Sequence, residues 1–272
     1  MSEFTQKEFT AANRAAWNAS AHLHGKGDHW DQLLAKASQP GFSVLDPLLT
    51  SVLGGLGLEG KSAVQIGCNN ARELISLASL GIRAELGIDQ ASGFLAQAKQ
   101  LSDAAGLDLR LLEADIYDLP PDVGQFDLVL ITIGVINWMP NLSEFFKVTS
   151  RLLAPGGRLV IYETHPFLEM FDPDSATAFE PAFSYFERQP QEVSEAIAYD
   201  GKDHGKGETG YWFIHPLGDI VTACVQSGLG IVELKEYGHT IRVPEYDIYD
   251  GRAAQIPMSY CLVAQKITST QG

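Results

Sequence analysis

Short apolar runs alternate with longer amphipathic stretches through the middle of this chain. Segments 62–67, 83–89, 109–113, 126–131 and 158–163 have the compact apolar character of buried strands. Between them, 72–80, 92–105 and 142–153 carry apolar positions at helical spacing; Gly106 closes the second and Pro155-Gly156-Gly157 the third. Segment 126–131 is strongly apolar, as expected of a strand covered on both faces. Strands alternating with helices of this length predict an α/β chain with a doubly wound, mostly parallel sheet. After 163 the alternation stops. A helix is expected again at 216–227, ended by Gly228, followed by strands at 230–237 and 258–266. This last pair is expected to add an antiparallel edge to the sheet.

The flanks read differently. Helices are expected at 9–21, 30–37 and 44–53, separated by Gly25-Lys26-Gly27 and Pro40-Gly41. Residues 164–214 hold short strand-like pieces and several prolines. The chain therefore divides into an N-terminal helical segment, 1–60, which covers one side of the sheet; a core built from 61–163 and 216–272; and an inserted lid, 164–215.

Composition narrows the function. Of 272 residues 45% are hydrophobic, enough for one large core and a lid. The 19 Lys and Arg face 34 Asp and Glu, a net charge of −15, which disfavours nucleic-acid partners. Cys68, Cys224 and Cys261 are odd in number and form no CxxC, so a reducing, cytoplasmic setting is expected. The first residues lack the cationic and apolar regions of a secretion signal, and no apolar run is of membrane-spanning length.

Four places at predicted strand ends carry chemistry. Gln65-Ile66-Gly67-Cys68-Asn69-Asn70-Ala71 is a strand-to-helix turn. Asp89, followed by Gln90, ends the second strand; a carboxylate there can accept from both hydroxyls of a ribose. Asp115 and Ile116 follow the third strand, and Thr132 and Ile133 end the fourth, behind Asp127 at its start. In this order and at these intervals, they resemble the class I S-adenosylmethionine-dependent methyltransferases, most of all the bacterial enzymes that act on small molecules. The resemblance covers about 60–163 and 216–266. It implies a Rossmann-like sheet with an antiparallel last strand, S-adenosyl-L-methionine as cofactor and S-adenosyl-L-homocysteine as product. Asp89 would then hold the ribose, Asp115 the adenine amino group, Ile116 the ring, and the loop from Gly67 through Cys68, Asn69 and Asn70 to Ala71 the methionine part. Gln65, Gln90, Thr132 and Ile133 would complete this site, with Trp17 closing it from the N-terminal helix. The chain departs from the family at Gln65, where an acid is usual, and at Asn69 and Ala71, where glycines are. Asn tolerates left-handed backbone, and a ligand without pyrophosphate needs a less close approach. Its carboxylate is expected to use free N–H groups at the start of the next helix.

The resemblance leaves the acceptor open, at oxygen or nitrogen of a small molecule. Residues 162–213 hold eleven of the chain's 26 aromatics, which suits a substrate lid; Tyr162, Tyr211 and Trp212 are its candidate contacts. His165 and His215, each followed by Pro where the chain leaves or rejoins the sheet, are candidate general bases. Tyr162 and Glu163 are weaker ones. His22, His24, Asp28 and His29 fit no zinc spacing, so no metal is expected. Neither a nucleic acid nor a membrane is expected as partner, and monomer and homodimer stay open. Two other readings compete: a binding protein that kept this fold without catalysis, and a nicotinamide-dependent oxidoreductase, which would need three glycines where only Gly67 remains.

Overall fold

A capping box starts the first helix, α1 (Gln6–Ser20): Thr5 Oγ1 accepts from Glu8 N–H, and the Glu8 carboxylate accepts from Thr5 N–H. The helix therefore begins three residues before the expected position. The computed structural model describes residues 4–199, 202, 204–241 and 244–268. Two more helices, α2 (Gly27–Ala37) and α3 (Pro47–Gly54), complete the N-terminal segment.

The alternating middle folds as β1 (Ser62–Ile66), α4 (Arg72–Ser76), β2 (Arg83–Asp89), α5 (Ser92–Ala104), β3 (Arg110–Glu113), β4 (Phe126–Thr132), α6 (Leu142–Leu152) and β5 (Leu153–Thr164). Two expectations shift. Helix α4 tightens into a 3-10 turn, Leu77–Leu80, just after Ser76, whose hydroxyl donates back to the Arg72 carbonyl. Strand β5 starts at Leu153, not after the Pro-Gly-Gly turn, because Leu153 already pairs with Phe126 and the extra residues form a bulge.

The remainder is a hairpin, β6 (Gln191–Glu195) and β7 (Lys206–Trp212), then α7 (Leu217–Gln226), β8 (Leu229–Tyr237) and β9 (Ser259–Lys266). The seven-stranded sheet has the order β3-β2-β1-β4-β5-β9-β8. Strand β9 runs antiparallel to both neighbours, β5 and β8. It is thus an interior strand, buried from Ser259 to Ala264, and β8 forms the edge. The terminal pair thus adds the expected antiparallel edge, with the last strand set inside it: β9 is apolar enough to be covered on both faces, whereas β8 exposes Val232 and Leu234.

Apolar side chains fill both faces of the sheet. Phe145, Phe146, Leu152, Ile220 and Cys224 pack on one face; Trp30, Leu49, Leu53, Leu74, Ile75 and Leu101 pack on the other. The carboxyl ends of β1, β2, β3 and β4 all open at one edge, where the order reverses between β1 and β4. The β6–β7 hairpin lies outside this sheet and against α1.

Candidate active site

The pocket at that edge holds about 730 Å³ of empty space, part of it open solvent. Its floor is Ile66, Gly67, Asn69, Ile88, Asp89 and Gln90 from the first two strand ends, then Ala114, Asp115 and Ile116 after the third. Ile133, Gly134, Val135, Trp138 and Met139 after the fourth form one side; Thr10, Trp17 and Tyr199 close the top.

The β1–α4 turn keeps a glycine-like backbone without the glycines. Gly67, Asn69 and Ala71 have φ of 63°, 51° and 59°. Asn69 is a residue that visits this region, whereas Ala71 carries a strain of about 1–2 kcal/mol there. Gly67 is also sterically required: a Cβ would lie 2.6 Å from Val135 Cγ2. The N–H groups of the turn itself are taken up ahead of the helix. Asn70 N–H donates to Asn69 Oδ1, Ala71 N–H to the Cys68 carbonyl, and Arg72 N–H to Asn70 Oδ1. The turn is closed on itself, which accounts for how it holds its shape with one glycine.

Asp89 accepts from Asn69 N–H on Oδ2 (2.8 Å) and from Ala91 N–H on Oδ1 (2.9 Å). Each oxygen keeps a lone pair for a ligand hydroxyl. Burial raises its pKa and the backbone donors partly offset that rise. Asp115 accepts from Tyr117 N–H (3.0 Å) and, on its other oxygen, from the Thr10 hydroxyl (2.5 Å), which ties α1 to the site.

Asn13, one turn after Thr10, has its side chain wholly buried. Its Nδ2 donates to the carbonyls of Trp138 and Tyr211, and its Oδ1 accepts from Tyr211 N–H (2.6 Å). One amide thus joins α1, the loop after β4 and strand β7. Glu163 does comparable work from β5. Its buried carboxylate accepts from the N–H groups of Gly134, Val135 and Ile136 and fixes that loop. A carboxylate so engaged is an anchor rather than a base.

Of the residues expected to hold a cofactor, Trp17, Gly67, Asn69, Asp89, Gln90, Asp115, Ile116 and Ile133 line this pocket. Gln65, Cys68, Asn70 and Thr132 stand behind it. Gln65 Nε2 donates to Thr132 Oγ1 (3.0 Å), and its Oε1 is buried with no partner among the described residues. Cys68 is buried beside Asp89, and burial drives its thiol pKa up, so it stays protonated.

The candidate catalytic and substrate residues are not brought to the pocket. His165 Nδ1 accepts from Phe167 N–H, which leaves Nε2–H to donate to Glu236 (2.8 Å). His215 Nε2 donates to the Met139 carbonyl (2.8 Å), with its ring stacked on Phe213. Burial lowers the pKa of both imidazoles. Tyr162 packs in the core, Tyr211 packs on Phe4 and Phe9, and Trp212 backs Trp138 while donating to Glu169. Strand position accounts for this: Tyr162 lies within β5 and packs on the sheet face that carries Leu49, Leu53 and Leu74, whereas the loop beyond β4 reaches the pocket. Sequence reading also missed Thr10, Val135, Trp138, Met139 and Tyr199 as lining residues. The spacing of 10, 13 and 17, one face of α1, was the available signal for the first.

The donor set suits an adenosine. Carboxylate lone pairs stand ready for hydroxyl and amino donors, and Ile88, Ala114, Ile116 and Met139 offer apolar cover. The Asn70 and Ala71 N–H groups, bonded within the turn, are less available to a pyrophosphate.

Residues 64–161 match the family model described as a methyltransferase domain. Demethylmenaquinone methyltransferase of Thermus thermophilus is 43% identical over 84 residues, 30% of this chain and 36% of the relative. That of Staphylococcus carnosus is 30% identical over 116 residues, 42% and 47% of the two chains. The chain thus matches about a third to a half of the length of these curated relatives. A Burkholderia thailandensis 1,6-didemethyltoxoflavin-N1-methyltransferase, solved with its acceptor and S-adenosylhomocysteine, superposes with a TM-score of 0.53 at 14% identity, over 98% of this chain and 93% of its own. The Rossmann-like methyltransferase fold, and the resemblance to class I S-adenosylmethionine-dependent methyltransferases, hold for the central sheet.

Proposed function

We propose, from the methyltransferase domain at 64–161, that this chain uses S-adenosylmethionine to methylate an oxygen or nitrogen of a small molecule. The observation that carries the reading is the pairing of Asp89 and Asp115 at neighbouring strand ends of one pocket, each with acceptor capacity turned toward it. When bound, S-adenosylmethionine supplies a methyl group activated by its sulfonium. Asp89 accepts from the ribose hydroxyls. Asp115 accepts from the adenine amino group, with Ile116 and Met139 against the ring. Gly67, Asn69 and the Gly134–Val135 turn surround the methionine end, and Thr10 and Trp17 exclude water from above. His165 supports the surrounding turn, since both its ring nitrogens are engaged with protein atoms, and His215 holds the Met139 carbonyl through Nε2 at a place that does not line the pocket. The names of the relatives and of the structural neighbour support a small-molecule acceptor.

Calorimetry with S-adenosylhomocysteine tests the reading. Binding is expected at micromolar concentration and is expected to weaken more than tenfold in Asp89→Ala. No binding by the wild-type protein at millimolar ligand would overturn it.

A further inference from the structure

We propose that the methyl acceptor is a planar, conjugated ring compound without negative charge, held against a wall of three aromatic side chains, Trp17, Trp138 and Tyr199. The proposal rests on the methyltransferase reading and adds to it the class of acceptor.

The three rings come from three separate segments: α1, the loop after β4, and the chain between β6 and β7. They nevertheless line one pocket. Trp17 meets Trp138 at 5.5 Å between ring centroids and Tyr199 at 6.3 Å. Each is also braced by a ring that does not line the pocket. Phe94 stands edge-on to Trp17 at 5.6 Å, Trp212 perpendicular to Trp138 at 5.1 Å, and His24 edge-on to Tyr199 at 4.6 Å. Edge-to-face bracing of this kind fixes ring orientation and leaves a defined surface for a further ring. Polar bonds hold the backing in place: Asn13 joins α1 to Trp138 and β7, His24 bonds the Ile197 carbonyl, and Ser20 Oγ accepts from Ile197 N–H.

Trp138 and Tyr199 bring the wall to the methyl-donor end, and Trp17 joins them from α1, whose Thr10 bonds Asp115 at the adenine end. Trp138 follows the Gly134–Val135 turn, and the Tyr199 hydroxyl lies 3.5 Å from Asn69 Nδ2, beside the β1–α4 turn. The adenine end, at Ala114, Asp115 and Ile116, lies across the floor. Charge selects further. The charged side chains among the described lining residues are the carboxylates Asp89 and Asp115, which repel an anionic acceptor in a partly desolvated site. Neither indole N–H of Trp17 and Trp138 has a hydrogen-bond partner among the described residues, so each can donate to a ring carbonyl or ring nitrogen. A flat, uncharged ring carrying such an acceptor atom satisfies the rings, the carboxylates and the donors together.

Three small probes test this on protein saturated with S-adenosylhomocysteine, by ligand-observed NMR titration. These are 2-quinolone (flat, uncharged, with a carbonyl), quinaldate (flat, anionic) and 2-piperidone (the same lactam without the aromatic system). The expected order is 2-quinolone tightest, with the other two at least tenfold weaker. Tyr199→Ala, at a 43% exposed position, and Trp138→Phe are expected to weaken 2-quinolone by a factor at least fivefold larger than they weaken S-adenosylhomocysteine. Equal affinity for quinaldate, equal affinity for 2-piperidone, no binding of 2-quinolone, or variants that affect only S-adenosylhomocysteine would each overturn the proposal. Failure of the wild-type protein to bind S-adenosylhomocysteine would instead remove the reading beneath it, whatever the probes do.

Discussion

Ala71 sits at φ 59° at the head of α4, where a glycine would rest without strain. Its methyl is fully buried among Leu74 and Leu77, and burial of one methyl contributes about 0.8 kcal/mol. The left-handed strain, about 1–2 kcal/mol, opposes it. Ala71→Gly is therefore expected to be close to neutral, within about 1 kcal/mol by urea denaturation. Gly67 has no such balance. Gly67→Ala places a Cβ 2.6 Å from Val135 while keeping a positive φ. The Val135 turn, held from behind by Glu163, is not free to give way. This variant is expected to lose at least tenfold in S-adenosylhomocysteine affinity by calorimetry; wild-type affinity would show that the turn can move.

Helix α1 is joined to the rest of the molecule through few but well-buried polar contacts. Asn13→Ala leaves the Trp138 carbonyl and the backbone N–H and carbonyl of Tyr211 without this partner. At about 1–3 kcal/mol for each buried group left unmade, and with partial relief from water, a loss of about 3 kcal/mol is expected. Hydrogen exchange should quicken in α1 and β7 together, while the amides of β1 and β4 keep their protection. Exchange that quickens evenly across the sheet would mean that the helix is not a separable cover. The short α4 and the bulged start of β5 show the same logic in reverse: a single serine back-bond and a single early strand pair displace boundaries that apolar spacing alone would set elsewhere.

At the scale of the whole molecule, pH acts through buried imidazoles. His165 and His215 have pKa values lowered from 6.5, chiefly by burial. The unfolded chain therefore takes up these protons first as pH falls. Their contribution to stability is full above pH 6.5 and is lost as pH drops from there toward the folded values. The loss is at most about 1.4 kcal/mol per pH unit for each group. Asp89 works in the opposite sense lower on the scale, since its pKa is raised above 3.8 and the folded form takes that proton first. The melting temperature is thus expected to fall between pH 7.5 and 5.5, and His215→Gln to flatten that dependence. An unchanged slope would place the titration on other groups.

The periodicity of the chain by itself determined the order of strands and helices from 62 to 266. Strand and helix periods differ, and a doubly wound sheet needs both in alternation. It also brought Asp89, Asp115, Gly67 and Asn69 to strand ends, because chain position along a strand translates directly into position at the sheet edge. Only the tertiary structure decided which neighbours those ends would meet. The slot for β9 between β5 and β8, the bracing of Trp17, Trp138 and Tyr199, and the removal of His165 and His215 from the pocket all depend on contacts between residues far apart in sequence. No local pattern encodes such contacts, since side-chain direction and long-range closure are set by packing rather than by spacing.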